Sequence, residues 1–412
     1  MMLIPGADAC DESMRRLIKK AARAIFADGA LESSADRFSV SLPATKASLP
    51  EYYRLERFAD REDYHARLQI YSNVKAIQVD WDFGAGERGQ LSRVTLLDPI
   101  AVVNILGEEL PWEVASRAIE KIESVAKAGL PNVAHIVDAW RHGKALAGVP
   151  AERANQLVDS MMIIDAAQKL SEGGRDVLLR RLSARLFSDS KRIEALSRQL
   201  AFLLGEPEDA EEYDVFARLG LVKHPQPMLL SGPPGCKIQV DGAVIPMAYP
   251  YIGLRPDTIK RLIVSNCSVR WVLTIENLAS FNEAAEFAMK RRDTLIVYLA
   301  GNPTPSFLAA YNRILVSIEP TKVLHWGDID VGGFRIAARL ADSIRLVGHS
   351  LHLWRMNPLQ EVHGTNKTLE ERKIVEASTI CDNYGWREEA NGLRKNPKFQ
   401  EQEFLDWIPP HD

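Results

Sequence analysis

The sequence predicts an α/β protein in which a parallel sheet with flanking helices follows mainly helical segments. Three apolar stretches of strand length, at residues 271–276, 294–299 and 323–327, alternate with helical stretches and are joined by short connections. Such alternation favours right-handed crossovers and parallel strands, whose carboxyl ends lie at one edge of the sheet. Polar residues that follow these strands are therefore expected to be neighbours in space.

Carboxylates follow two of the three strands. Glu276 ends the first, and Asp328 and Asp330 follow the third. Alternate residues of an extended chain point to one face, so the two aspartates are expected to aim at the same point. Clustered carboxylates repel one another unless a cation or proton lies between them, and hard cations prefer oxygen ligands. The pattern predicts a Mg²⁺ or Mn²⁺ site at the sheet edge where α/β proteins bind ligands. For Asp330 alone, a helix N-cap is the alternative.

The residues around the aspartates have two interpretations. Gly332 and Gly333 lack side chains, so they can let a phosphate approach the N-terminus of the following helix, where free amide groups favour anions. Close packing of that helix on the sheet explains the same two glycines. His325 and Trp326 precede the aspartates, and we interpret both as packing or wall residues and not as metal ligands.

The amino-acid sequences of the segments that contain these acids resemble a known family. "TIENLASF" at 274–281 and "HWGDIDVGGFRI" at 325–336 are similar to the TOPRIM module of topoisomerases, primases and some nucleases. More narrowly, they resemble the JetD family, the nuclease subunit of bacterial Wadjet plasmid-defence systems, which is related to the A subunit of topoisomerase VI. The resemblance is strongest over 227–412 and weaker in "RLFSDSKRIE" at 185–194.

The resemblance implies a magnesium-dependent endonuclease that hydrolyses phosphodiester bonds of double-stranded DNA. Glu276, Asp328 and Asp330 would be its catalytic and metal-binding residues, and Glu403, in an "EQE" stretch that members of the family often carry, a further ligand. The implied partners are an SMC-like ATPase, a kleisin and an accessory subunit, together with a second copy of the chain in a homodimer. The chain has no Walker A motif, so ATP hydrolysis would belong to a partner.

Four segments are expected along the chain. Residues 1–110 are interpreted as a winged-helix-like domain, 111–205 as a helical domain, 206–255 as an acidic and Pro/Gly-rich linker with a small β segment, and 256–412 as the TOPRIM-like catalytic domain. A helix is expected over Pro256–Val264.

In the winged-helix interpretation, residues 62–73 form the recognition helix and a hairpin forms the wing. His65 and Arg67 would point outward from that helix, and Arg88 would lie at the tip of the wing. DNA contacts by Arg67 and Arg88 are one expectation. Binding of a protein by the same domain is the other.

Charge is segregated along the chain, although the net charge of −4 is mild evidence against a nucleic-acid binder. Residues 175–199 carry seven basic and three acidic side chains, and residues 206–214 carry six acids. Arg185, Lys191 and Arg192 are expected to contact phosphates, with a solvated basic face as the alternative. No apolar run approaches membrane-spanning length, no signal peptide is evident, and the four cysteines are scattered, which together predict a cytoplasmic protein.

Two other functions stay open at this level. A topoisomerase VI A-like subunit would cleave DNA with a tyrosine nucleophile, for which the candidates are Tyr52, Tyr53, Tyr64 and Tyr71. A non-catalytic DNA-binding scaffold would use the acids to cap helices.

Overall fold

A computed structural model describes residues 6–31, 39–82, 90–126, 130–171, 174–207, 212–265, 268–288, 293–359, 370–396, 400–402, 405 and 407–411. The chain divides into two compact units. Unit 1 comprises Met1–Met162 and Arg198–Glu208, and unit 2 comprises Ile163–Ser197 and Asp209–Asp412.

Unit 1 is mainly helical with a small antiparallel sheet. Its elements are α1 (Gly6–Asp28), β1 (Ser41–Pro43), α2 (Pro50–Tyr53), α3 (Phe58–Asn73), β2 (Ile77–Asp82), β3 (Gln90–Leu96), α4 (Pro99–Leu106), α5 (Pro111–Val125) and α6 (Val133–Arg141). Helices α7 (Asn155–Ser171) and α10 (Ser197–Leu204) cross the boundaries between the units. The three strands have the order β1-β3-β2.

Helix α1 is the centre of the unit 1 core. Its buried residues recur every three or four positions, as in Met14, Leu17 and Ala21, which is the period of one helix face. This face packs against α3, where Tyr64, Leu68 and Tyr71 are buried. The predicted helices and the β2–β3 hairpin are therefore present. The hairpin tip at 83–89, with Arg88, lies outside the described residues.

Unit 2 contains the α/β part of the chain. Its shorter elements come first: β4 (Val177–Leu178), α8 (Leu179–Phe187), α9 (Arg192–Ala195), α11 (Glu212–Arg218), β5 (Leu221–Val222), β6 (Met228–Ser231), β7 (Cys236–Val240), β8 (Ala243–Pro246), β9 (Ile252–Leu254) and β10 (Ile259–Val264). The alternating region follows: β11 (Trp271–Ile275), α12 (Leu278–Ala288), β12 (Thr294–Tyr298), α13 (Pro305–Ile318), β13 (Lys322–Trp326), α14 (Val331–Arg345), β14 (Leu351–Leu353), α15 (Glu371–Tyr384) and α16 (Arg387–Lys395).

The main sheet of unit 2 has six strands in the order β14-β13-β11-β12-β6-β9. Strands β14, β13, β11 and β12 are parallel, as the alternation predicts, whereas β6 pairs antiparallel with both β12 and β9. The sheet as a whole is therefore mixed. All five residues of β11 are buried, which explains why this strand is apolar except for Thr274 and does not alternate between polar and apolar residues.

The expected helix over Pro256–Val264 is wrong. The chain makes a single 3-10 turn at Pro256–Thr258 and then runs as β10, which pairs antiparallel with β7 in a second sheet of order β10-β7-β8. The short segment 259–264 fits both periods locally, and pairing with the distant β7 decides in favour of a strand. None of the helices within the described ranges is long and apolar enough to cross a bilayer.

Candidate active site

The predicted acids lie at the carboxyl edge of two neighbouring parallel strands. Strands β11 and β13 are paired along their whole length, with Ile275 opposite Trp326. The pairing continues one residue further, because the Glu276 amide donates to the Trp326 carbonyl at 3.1 Å. The loop that carries Asp328 and Asp330 therefore begins beside Glu276.

Glu276 is a buried carboxyl with a raised pKa. Burial, together with the smaller effect of the negative charges of Asp328 and Asp330, raises its pKa from 4.5 to about 8, against a lowering by a hydrogen bond from the Asp328 backbone. Within the described residues its Oε2 atom is buried and has no hydrogen-bond partner. Such a carboxyl is held either by a proton or by a cation.

The two aspartates are half-buried and already make defined contacts. The Oδ1 atom of Asp328 accepts a hydrogen bond from the Gln402 amide at 2.7 Å. The Oδ1 atom of Asp330 accepts one from the Gly333 amide at 2.7 Å, so Asp330 is the N-cap of α14. The capping role that the sequence left open for Asp330 is therefore present, and it engages one of the two carboxylate oxygens.

The chemistry of the donor set suits a hard divalent cation, because it consists of carboxylate oxygens around an orphaned Glu276 oxygen. In the described part of the chain, however, no three acidic, histidine or cysteine side chains lie close enough together to hold a metal ion. The proposed further ligand, Glu403, lies outside the described residues. The acids are thus brought to one place without forming a closed cage.

Gly327, which sequence reasoning missed, makes room for the buried Glu276 carboxyl. A Cβ atom on Gly327 would lie 2.5 Å from Glu276 Oε2 and 2.8 Å from His325 Nε2. His325 is completely buried, its Nδ1 is 2.9 Å from Thr274 Oγ1, and burial lowers its pKa to about 3. His325 is therefore a neutral residue beneath the site. The only signal for Gly327 in the sequence is its place directly before Asp328.

A C-terminal segment, Gln400–Gln402, packs on the aspartate loop. Gln400 and Ile329 exchange two backbone hydrogen bonds of 2.8 and 3.3 Å. Gln402 reaches both strand ends, donating its amide to Asp328 and accepting the Asn277 amide through Oε1 at 2.9 Å. Farther along, the rings of Trp407 and Trp326 are 5.9 Å apart. The sequence pointed to Glu403 in this stretch but not to its neighbour Gln402.

Orphaned polar atoms concentrate around this edge. Of the twelve buried side-chain nitrogen or oxygen atoms without a partner among the described residues, six belong to the residues just described. Buried polar groups in proteins are normally hydrogen-bonded, so a cluster of exceptions marks a place where a ligand or solvent supplies partners. The six atoms are Glu276 Oε2, His325 Nε2, Trp326 Nε1, Gln400 Oε1, Gln402 Nε2 and Trp407 Nε1.

The two glycines of the aspartate loop differ in their surroundings. Gly333 is buried, and a Cβ atom there would overlap the Asp328 carbonyl group, with the carbonyl carbon at 3.0 Å. Gly332 is exposed, and its Cβ would meet nothing closer than Asp330 Oδ1 at 3.2 Å. Close packing therefore accounts for Gly333, whereas Gly332 remains open to a ligand, and its contact with nucleic acid stays a prediction.

The basic residues expected to bind phosphate in unit 2 lie near the break between α8 and α9. Arg185 and Lys191 are exposed and Arg192 is half-buried. The chain turns here because Asp189 Oδ1 accepts the Lys191 amide at 2.8 Å. Arg185 and Lys191 are accessible to a polyanion, and their role as phosphate contacts stays a prediction.

Arg67 and His65 of α3 do not point freely outward as the helix pattern predicts. The Arg67 guanidinium makes two hydrogen bonds to the Asp11 carboxylate, of 2.8 and 3.0 Å. The His65 ring is half-buried, with Nε2 3.1 Å from the Tyr52 hydroxyl. Because Arg67 is committed to an ion pair inside unit 1, DNA would have to compete with Asp11 for it.

A fourth acid near Glu276 comes from the acidic run at 206–214. The negative charge of Asp214, in α11, makes the smallest contribution among the charges that raise the pKa of Glu276. Because six of the nine residues in this run are acidic, the sequence does not distinguish Asp214 from the other five.

Replacing Glu276 by Gln should stabilise the metal-free protein in a pH-dependent way. The folded protein keeps the Glu276 carboxyl protonated up to about pH 8, whereas the unfolded chain loses this proton near pH 4.5, so the stability of the wild type falls as the pH rises from about 4.5 through about 8. Glu276→Gln removes the negative charge that the carboxyl acquires over this range. We expect equal Tm values near pH 4.5 and a gap of several degrees at pH 8, since each kcal/mol shifts Tm by about 2–4 °C in a unit of this size.

Differential scanning fluorimetry in a chelator, from pH 4.5 to pH 8.5, measures this gap. The matched control is Glu286→Gln, an exposed acid on α12, which should follow the wild type at every pH. A higher Tm of Glu276→Gln that does not change with pH would show that the Glu276 carboxyl does not have a raised pKa in the folded protein.

Comparison with known proteins shows which family this region resembles. The fold and site define a mixed α/β module with acids gathered at the carboxyl edge of its parallel strands. Residues 239–362, which include all three acids, match the family described as "Wadjet protein JetD, C-terminal". Over this region the chain is similar to the JetD family.

A curated relative supports the same assignment. The "Wadjet protein JetD" of Bacillus cereus (strain Q1) is 26% identical over 184 residues. The alignment covers 42% of this chain and 44% of that protein, so this chain spans less than half of the relative's length. Gln402 lies beyond the C-terminal end of the family match at residue 362.

Proposed function

We propose that this chain is the nuclease subunit of a Wadjet-type plasmid-defence complex. It would hydrolyse phosphodiester bonds of double-stranded DNA with Mg²⁺ or Mn²⁺ held by Glu276, Asp328 and Asp330. One observation carries the proposal. Two separate strand ends bring these acids together so closely that the charges of both aspartates raise the pKa of Glu276. The similarity of residues 239–362 to the JetD family supports such a role.

The residues divide the work of the site. Glu276 has a buried oxygen that is ready to accept a cation once its proton has left, and Asp328 has one oxygen fixed by the Gln402 amide. Asp330 fixes the start of α14. When bound, a divalent cation would polarise the phosphate and orient a water molecule for attack. Gly332 leaves the approach to the aspartates open to the DNA backbone.

The partners and the assembly are part of the proposal. The net charge of −4 gives the chain no general electrostatic attraction for DNA, so delivery of DNA by an SMC-like ATPase, a kleisin and an accessory subunit suits it. A homodimer would place two sites on two strands. TOPRIM-like and winged-helix-like domains, and a cytoplasmic location, complete the proposal.

Cleavage of circular plasmid tests the function directly. The purified chain, alone and with its partner subunits, is incubated with plasmid and Mg²⁺ or Mn²⁺, and products are resolved on agarose gels. We expect nicked or linear DNA that depends on the cation and disappears with EDTA. Intact plasmid in every mixture, or cleavage that resists EDTA, would reject a metal-dependent nuclease.

Two substitutions of Asp330 separate capping from metal binding. Asn caps a helix as well as Asp does, whereas Ala costs about 1 kcal/mol at this position. Asp330→Asn should therefore keep the wild-type Tm but lose at least tenfold in cleavage rate, and Asp330→Ala should lose both. Tm and single-turnover rates are measured on the same preparations. An Asp330→Asn variant with full activity would leave Asp330 as a cap and no more.

The tyrosine-nucleophile alternative receives no support from unit 1. Tyr64 and Tyr71 are completely buried, and their hydroxyl groups donate to Ser13 Oγ and Asp11 Oδ1. Burial raises the pKa of both phenols, which weakens them as nucleophiles. Tyr53 donates to the Ala44 carbonyl, and Tyr52 is largely buried.

A further inference from the structure

Gln402 joins the two strand ends that carry the acids. Its backbone amide donates to Asp328 Oδ1 at 2.7 Å, and its side-chain Oε1 accepts the Asn277 amide, next to Glu276, at 2.9 Å. The residue is 1% exposed, so the surrounding atoms hold it in this position. One residue from the C-terminal segment therefore touches an acid directly and the neighbour of another.

The contact to Asn277 replaces a missing local interaction. Asn277 caps α12, because its Oδ1 accepts the amides of Ala279 and Ser280 at 2.7 and 3.1 Å. In a capping box, a Glu or Gln three residues after the cap would bond the backbone amide of the cap residue. That position is Ser280 here, which is too short, and Gln402 supplies the acceptor from elsewhere in the chain.

The kind of side chain matters at this place. A glutamine presents an acceptor to the Asn277 amide without adding another negative charge beside Glu276 and Asp328. A glutamate would offer the same acceptor at the cost of repulsion in the metal-free state. An apolar side chain of similar size would fill the space but remove the acceptor that Gln402 offers to the Asn277 amide.

We propose that Gln402 is a positioning residue that fixes the Glu276 strand end relative to Asp328, so that both carboxylates meet one divalent cation. The inference rests on the proposed function, because it assigns Gln402 a role at that metal site. Contacts that orient metal ligands change affinity by about 10–100-fold when removed. We expect an effect of that size on cation binding, separate from any effect on folding.

Binding of Mn²⁺ to the full-length protein without DNA, followed by electron paramagnetic resonance, tests this role. Gln402→Leu removes the acceptor and keeps the backbone bond to Asp328. The control is Asn396→Leu, a half-buried residue shortly before this segment, whose Nδ2 donates to the Pro358 carbonyl at 2.8 Å and not to an acid-bearing strand. We expect Gln402→Leu to raise the Kd for Mn²⁺ by 10–100-fold and Asn396→Leu by less than threefold.

Gln402→Glu serves as the conservative variant. It retains the acceptor for Asn277, so its Kd for Mn²⁺ should equal or fall below that of the wild type, even if Gln402→Leu fails to fold. Tenfold weaker binding of Mn²⁺ by the Gln402→Glu variant than by the wild type would overturn the proposal. So would equal weakening in the two leucine variants, which would indicate general loosening of the segment.

The outcomes also separate this inference from the proposed function. If the wild type binds Mn²⁺, Asp328→Asn does not, and Gln402→Leu binds like the wild type, the positioning role fails and the metal site stands. If the wild type itself binds no Mn²⁺ and leaves plasmid intact, both proposals fall together.

Discussion

Replacing Asp328 by Asn should lower the rate of DNA cleavage by at least about 100-fold. A bound cation contributes several kcal/mol of charge stabilisation, and each 1.36 kcal/mol is about tenfold in rate. The asparagine side chain keeps an oxygen at the position that accepts the Gln402 amide, so the C-terminal segment remains in place. The substitution thus removes charge from the site while conserving shape and the hydrogen bond.

Single-turnover cleavage of plasmid at saturating Mg²⁺ measures the loss. Asp342→Asn is the matched control, because Asp342 belongs to α14, the helix that follows the site, and its side chain is 59% exposed. We expect the control to retain the wild-type rate and both variants to retain the wild-type Tm. Full activity of Asp328→Asn would remove the central acid from the mechanism, and with it the proposed metal site.

The parallel core was predictable because its signals are local. Strands β11, β12 and β13 are short apolar runs, and chain connectivity alone brings their carboxyl ends to one edge. The strand ends that carry Glu276 and Asp328 therefore lie side by side, and no knowledge of side-chain contacts is needed to predict it. The positions of the antiparallel strands β6 and β9 could not be predicted, because nothing in their own residues indicates that β6 pairs with β12 and β9 with β6.

The supporting residues of the site were not predictable for the same physical reason. Gln402 acts on residues that are 74 and 125 positions away in the chain, so no local pattern identifies it. Gly327 matters through the Glu276 oxygen that packs on it, a contact set by the adjacent strand. For Arg67 the local pattern was misleading. The helix pattern places this residue on an outward face, but it does not indicate the ion pair between its guanidinium and Asp11.

Gly333→Ala should destabilise unit 2 and disrupt the aspartate loop, against the usual trend. In an open helical position alanine is favoured over glycine by roughly 0.5–1 kcal/mol. At Gly333, however, the new Cβ would overlap the Asp328 carbonyl oxygen, and the Asp328 amide nitrogen would lie at 3.2 Å. Because these are backbone atoms, the loop itself must move, and overpacking of this kind costs about 1–3 kcal/mol.

Gly332→Ala is the matched control, one residue earlier in the same helix. Its Cβ would face Asp330 Oδ1 at 3.2 Å on an exposed surface, so the variant should fold with an unchanged or slightly higher Tm. Tm and Mn²⁺ affinity are measured for both. We expect Gly333→Ala to lose both stability and cation binding, whereas Gly332→Ala should retain both and bind DNA less tightly if the phosphodiester backbone passes over this residue. Two glycine variants with equal Tm values would show that the Asp328 backbone does not press on α14, and that the loop holding the acids is set by other contacts.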